Sequence, residues 1–175
     1  MKISDILKKE HVIKELNSCD KKNVLDELSS FLVDEGEITS KENLLVALIE
    51  REKLGSTGIG ENVAIPHAKI SEIDKIITVF GRSKNGVEFE SLDQKPLNFI
   101  FLVIAPENST GQHLKALARI SRLFKNPSLR ESILQESTVC FRAQSFDRSK
   151  MWASPIDIPF DTAIPFSIKL TPYCE

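Results

Sequence analysis

Cysteine is scarce in this 175-residue chain: three residues, Cys19, Cys140 and Cys174, with no CxxC pair among them. Any pairing leaves one thiol over, so a disulfide framework of the kind that staples small secreted domains is excluded and reduced thiols are expected. An excess of charge of one sign is lacking too, with 23 Lys and Arg against 25 Asp and Glu and a formal net charge of -2. No positive field therefore marks the chain for nucleic acid or for an anionic membrane surface. Long hydrophobic runs are also missing. The longest, Phe99 to Ala105, falls far short of the roughly 20 residues that cross a bilayer, and the start Met1-Lys2-Ile3-Ser4-Asp5 has no signal-peptide core. The expectation is a cytoplasmic protein with no direct membrane insertion and no nucleic-acid partner, long enough for one well-buried domain and short for two.

Proline and aromatic residues are few and unevenly spread. Residues 137–175 hold Pro155, Pro159, Pro165 and Pro172, half of the eight prolines, and six of the twelve aromatics including Trp152 and Tyr173. Neither helical nor strand periodicity survives there. Residues 1–136 read as a packed domain, with 137–175 an atypical C-terminal tail. All three histidines, His11, His67 and His113, lie in the first part.

Caps and apolar spacing predict the helices. Ser18 or Asp20 opens one that carries Val24, Leu25, Leu28, Phe31 and Leu32 on a single face, with Gly36 at its stop. Thr39 and Glu42 form a capping box before Leu44, Leu45, Leu48 and Ile49, and Gly55 ends that run. Ser109 and Gln112 form another, ahead of Leu114, Leu117, Ile120, Leu123 and Phe124. Asn126 caps a last helix with Pro127 at its first position and Leu129, Ile133 and Leu134 inside. Between them lie short β-rich segments: Val63 to Ile65, Ile76 to Phe80, Val87 to Phe89 and Leu97 to Ala105. The last has no polar alternation, as expected of a central strand covered on both faces. The fold class is α/β: a three-layer sandwich whose mixed β-sheet of about five strands is flanked by helices. No internal repeat is visible.

The chemistry concentrates between Glu50 and His67. Gly55, Gly58 and Gly60, with Ser56 and Thr57 among them, make a sharply turning, donor-rich loop suited to an anion. An ATP-binding P-loop fails, because Glu61 and Asn62 stand where Lys and Ser or Thr are needed. A dinucleotide fingerprint fails as well, since Val63 replaces its third glycine. What remains is His67, presented directly after Ile65-Pro66 from a backbone that proline stiffens. A neutral imidazole nitrogen is a good phosphoryl acceptor, and an intrinsic pKa of about 6.5 leaves much of the ring neutral in a cell. The plain alternative is a histidine satisfied at a strand end. His113 falls in the first turn of a helix, where free N–H groups and the dipole favour anions, or else simply lines the rim of the core. Arg51 either offers its guanidinium to phosphate oxygens or pairs with Glu50 or Glu52 at the surface. His11, beside Lys9 and Glu10, reads as a surface residue. A metallohydrolase built on His67, His113 and Glu61 is a rival reading, weakened by the lack of any His-x-x-x-His or Glu-x-x-His pair.

The stretch Arg51-Glu52-Lys53-Leu54-Gly55-Ser56-Thr57-Gly58-Ile59-Gly60-Glu61-Asn62-Val63-Ala64-Ile65-Pro66-His67-Ala68-Lys69 resembles the active-site signature of the fructose/mannitol-type enzyme IIA domains of the bacterial phosphoenolpyruvate-dependent phosphotransferase system. A second block, Phe101 to Leu123 with Ala105-Pro106-Glu107-Asn108-Ser109-Thr110-Gly111-Gln112-His113 at its centre, is similar to that family's second region and most resembles the nitrogen-regulatory branch. The resemblance covers about residues 1–136. It implies that His67 is phosphorylated by the phosphohistidine of HPr or its nitrogen-branch counterpart. It also implies that His113 assists and that Arg51 steadies the phosphate, alongside the loop donors Ser56, Thr57 and Gly58. No cofactor and no metal are implied. The group would pass to a IIB domain or serve as a signal read by regulatory targets, with a non-catalytic binding module of the same fold as the alternative. Docking is expected on a shallow apolar surface around Ile59, Ile65 and Pro66. The tail departs from the family, which ends in an amphipathic helix; an altered reading frame and a lineage-specific extension are both open readings.

Overall fold

A computed structural model of the chain describes residues 5–135. The tail from 137 on, with Cys140, Cys174, Trp152 and Tyr173, lies outside the described residues. In chain order the elements are β1 (Leu7–Ile13), α1 (Lys21–Asp34), α2 (Lys41–Lys53), β2 (Gly58–Gly60), β3 (Val63–Ala64), β4 (His67–Ile70), β5 (Ile77–Val87), β6 (Leu97–Pro106), α3 (Thr110–Phe124) and α4 (Pro127–Gln135).

Two of the four expected helix starts form as read. Asp20 accepts the Asn23 N–H at 3.0 Å and caps α1, and Asn126 Oδ1 accepts the Ser128 N–H at 3.0 Å ahead of α4. The cap of α2 is Ser40 and not Thr39, whose hydroxyl and N–H both go to Glu72. The capping box of α3 does not close: the Ser109 hydroxyl turns back to donate to the Pro106 carbonyl at 2.7 Å.

One six-stranded mixed sheet runs β1-β5-β6-β3-β2, with β4 also on β6. β5 is antiparallel to β6, while β3 and β4 lie parallel to it on its other side. β6 is central, as its unbroken apolar run requires. Ile100, Leu102 and Ile104 face a core closed by Leu25, Leu28, Leu44 and Leu48 of α1 and α2. Phe99, Phe101 and Val103 face a second core closed by Ala116, Ile120, Phe124 and Ile133 of α3 and α4. Phe80, Phe99, Phe101 and Phe124 pack there with ring centroids 4.6–6.2 Å apart, within the range that favours aromatic pairs.

The mixed sheet flanked by helices is as expected, with six strands where about five are expected; β1, β2 and β4 carry too little apolar alternation to be seen in the sequence. Two other expectations are corrected. Leu114 is 61% exposed, and α3 turns Ala116, Ile120 and Phe124 inward in its place. His11 is 2% exposed, because β1 lies alongside β5 and beneath Phe31; its Nδ1 sits 3.2 Å from the Thr78 carbonyl and its Nε2 3.3 Å from Glu37 Oε1.

Candidate functional site

β3 and β4 are two pieces of one strand. Val63 pairs with Phe99, Ala64 with Ile100 and His67 with Val103, a single register on β6 that continues across Ile65 and Pro66. The Pro66 carbonyl still accepts the Val103 N–H at 2.9 Å, on the side facing β6. Because carbonyl directions alternate along a strand, Ile65 turns its polar groups the other way. Its N–H donates to the Thr57 carbonyl at 3.0 Å, where the pairing of β2 runs out. Its own carbonyl is then met by a side chain, His67 Nδ1, at 2.9 Å.

A carbonyl only accepts, so this contact puts the proton of the neutral ring on Nδ1 and leaves the lone pair on Nε2. Arg51, in the last turn of α2, donates its Nε–H to that Nε2 at 3.1 Å and its Nη1–H to the Gly55 carbonyl at 3.0 Å. Arg51 thus leaves Glu50 and Glu52 unpaired with it and meets the histidine. Burial lowers the pKa of His67 below 6.5; the Ile65 hydrogen bond opposes this, the charge of Arg51 adds to it and Glu52 again opposes it. The ring is held neutral, with one nitrogen defined as base.

His113 completes the group. Its ring lies 5.3 Å from that of His67, centroid to centroid, inclined at 63°. It is buried, and its Nε2 has no hydrogen-bond partner among the described residues. Burial lowers its pKa, and His67 and Lys69 lower it further. Its backbone N–H is taken by the Ser109 carbonyl at 3.1 Å, so the free N–H groups of α3 precede it.

The loop expected to offer phosphate donors is occupied internally. The Thr57 N–H donates to Glu52 Oε2 at 3.2 Å, its hydroxyl also goes to Glu52, and the Gly58 N–H donates to Ser56 Oγ at 3.2 Å. Ser56 Oγ in turn lies 3.4 Å from the Phe89 carbonyl. Glu61, the third ligand of the metal-site reading, pairs with Arg130 at 3.1 Å, and among the described residues no group of three or more His, Cys, Asp or Glu could hold a metal ion. Ile65 and Pro66 are buried, whereas Leu54, Ile59 and Leu114 near the site are exposed. No helix among the described residues is long and apolar enough to cross a membrane.

The model of the family described as phosphoenolpyruvate-dependent sugar phosphotransferase system, EIIA 2, matches residues 5–139. The chain belongs to that EIIA family. It is 38% identical over 135 residues to a PTS system fructose-specific EIIABC component of Bacillus subtilis, covering 77% of this chain but only 21% of that protein. It is 38% identical over 135 residues to a nitrogen regulatory protein of Bradyrhizobium diazoefficiens, covering 76% of this chain and 86% of that one. Among solved structures, the nitrogen regulatory protein IIA-Ntr of Neisseria meningitidis superposes with a TM-score of 0.72 at 35% identity, covering 78% of this chain and 92% of that chain. EIIA domains carry out phosphoryl transfer, and membership brings a phosphocarrier role in the phosphotransferase system or its regulation.

Sequence reading of this EIIA domain missed Glu52, whose side chain is 7% exposed. The signal was available. Glu52 follows the buried Leu44 and Leu48 at four-residue steps, so a carboxylate stands on the inward stripe of α2, where a charge needs a partner.

Proposed function

We propose that His67 is the phosphoryl acceptor of this chain, that Arg51 and His113 steady the group during transfer, and that the donor is the phosphohistidine of an HPr-like carrier in the cytoplasm. The observation that carries the reading is the pair of contacts on the His67 ring: an acceptor on Nδ1 at 2.9 Å and a donor to Nε2 at 3.1 Å. Together they support Nε2 as the nucleophile of a neutral imidazole. The Nε2 lone pair forms the new N–P bond while the N–P bond of the donor breaks, its electron pair leaving with the donor's imidazole. The proton stays on Nδ1 throughout, donated in a hydrogen bond to the Ile65 carbonyl. Arg51 gives up its bond to Nε2 as phosphorus arrives and turns its guanidinium to the phosphoryl oxygens, where a planar fork of donors is at its strongest. His113 Nε2, buried and without a hydrogen-bond partner among the described residues, is the second group for those oxygens.

The exposed side chains of Leu54, Ile59 and Leu114 suit a partner that docks briefly and leaves. Its onward acceptor is a IIB domain or a regulatory target. The EIIABC name of the Bacillus subtilis relative supports the first and the nitrogen regulatory relatives the second. The test is the intact mass of the chain before and after incubation with phosphoenolpyruvate, enzyme I and HPr or its nitrogen-branch counterpart, with His67→Ala alongside. A gain of one acid-labile phosphoryl group that His67→Ala abolishes is the expected result. No gain from either donor in folded protein would leave a binding module.

A further inference from the structure

Glu52 is a nearly buried carboxylate that the transfer chemistry does not use. On one side it is balanced by Lys21, at the start of α1, whose Nζ is 3.4 Å from Oε2. On the other it receives both donors of Thr57, the backbone N–H at 3.2 Å and the hydroxyl. Two routes lead from Thr57 to the reacting ring. Forward along the chain, the Thr57 carbonyl accepts the Ile65 N–H at 3.0 Å, and the Ile65 carbonyl accepts from His67 Nδ1. Backward, Thr57 fixes the turn at Gly55, whose φ of +147° only glycine adopts readily and whose carbonyl accepts from Arg51.

We infer that Glu52 is a positioning residue for phosphoryl transfer: by clamping Thr57 it orients, through Ile65 and through Gly55 and Arg51, the partners of both nitrogens of His67. The inference rests on His67 being the acceptor. The charge of Glu52 has a second effect, opposing the pull of Arg51 on the His67 proton equilibrium. Glu52 touches neither His67 nor the transferred group, so its removal disturbs geometry first.

Three variants of the full chain test this, each made with 15N-labelled histidine. Glu52→Asp keeps the charge but draws the carboxylate back by one methylene, and Thr57→Val keeps the shape but deletes the hydroxyl. Thr57→Ser keeps both donors. The two-bond 15N–1H spectrum of the His67 ring reads the tautomer, and phosphoryl uptake from the phosphorylated HPr-like carrier reads kcat and KM. The expected result is a single Nδ1-protonated tautomer in the unaltered chain and in Thr57→Ser, and a mixture in Glu52→Asp and Thr57→Val. Turnover in those two falls by about 10²-fold, as for a misplacement of ångström size, while KM for the carrier holds. Should Glu52→Asp fail to fold, Thr57→Val decides alone. A folded Glu52→Asp or Thr57→Val with the unaltered tautomer and turnover overturns the inference. A chain that takes up no phosphoryl group at all overturns the acceptor role of His67 instead, and the ring spectrum still decides on Glu52.

Discussion

Arg51 donates its Nε–H at 3.1 Å into His67 Nε2, the atom that bonds phosphorus in the proposed transfer. In that transfer the resting contact and the reactive one would compete for a single lone pair, and the guanidinium that occupies Nε2 would be a charge at hand for the incoming oxygens. Which effect dominates depends on geometry that only arginine has.

Arg51→Lys preserves the charge and loses the fork, so one ammonium cannot hold the Gly55 carbonyl and serve His67 in the same plane. The expected outcome is a loss of phosphoryl uptake on the order of 10²-fold in a chain that folds normally. Quench-flow uptake from a phosphorylated carrier measures it. Unchanged uptake would show that charge alone suffices.

Acid should separate two stages of destabilisation. His67 and His113 have their pKa values lowered by burial from 6.5, so between the folded and unfolded values the unfolded chain binds more protons. Their contribution is complete above about pH 6.5 and is lost as pH falls below it towards the folded values. Glu27 and Glu37 also have lowered values, from 4.5, and their contribution is lost only at lower pH. Thermal melts at closely spaced pH should therefore begin to fall near 6.5, and His67→Gln combined with His113→Gln should remove that first decline while leaving the second. Uptake should begin to fall at a lower pH than the 6.5 of an ordinary histidine, because burial favours the neutral His67 ring.

Gly58 is a packing residue. A Cβ at this position would lie 2.9 Å from the Ser91 Cα and 3.2 Å from Leu97 Cδ1, and the first of these is backbone that cannot step aside. Gly58→Ala should cost about 1–3 kcal/mol, as overpacking in a filled core does. Urea denaturation gives the figure; a change under about 0.5 kcal/mol, the range of an ordinary surface substitution, would mean that β2 shifts freely.

Arg82 ties the sheet to the last described helix. Buried to 2% exposure, it donates from Nε to the Lys14 carbonyl at 3.0 Å and from Nη1 to the Ile133 carbonyl at 2.8 Å, in the final turn of α4. Arg82→Leu fills the space but orphans both carbonyls, at about 1–3 kcal/mol for each that stays dry. Hydrogen exchange should show protection lost first across Pro127–Gln135. Uniform loss across the sheet would argue against a tie specific to α4.

Much of this was legible in the chain. The run Phe99 to Ala105 announced β6 because a strand covered on both faces has no reason to alternate. The Gly-rich segment and the Pro66-His67 step marked the site because few other demands place those residue types together. β1 stayed hidden: Leu7 and His11 are its buried residues, with Lys8, Lys9 and Glu10 between them, and its other apolar residues, Val12 and Ile13, are only partly buried. β5 read as two pieces because Arg82, Ser83 and Lys84 interrupt its hydrophobicity, although pairing with β6 carries the backbone through. The partners of the loop donors stayed hidden for a related reason. Glycine, serine and threonine reveal that N–H groups are exposed by the turn, and only the fold reveals that Glu52 holds both donors of Thr57 and that Ser56 Oγ holds the N–H of Gly58.

The Ile65 carbonyl has a consequence for the return journey of the group. In the proposed transfer, a phosphoryl on Nε2 would sit on a ring whose other nitrogen still carries its proton, held in place by that carbonyl. When the group departs, imidazole leaves as a neutral molecule and not as an anion, so no acid need be recruited. In the proposed transfer, inbound and outbound steps would then leave the His67 ring with the same proton inventory, so that this ring takes up and releases no proton in either direction.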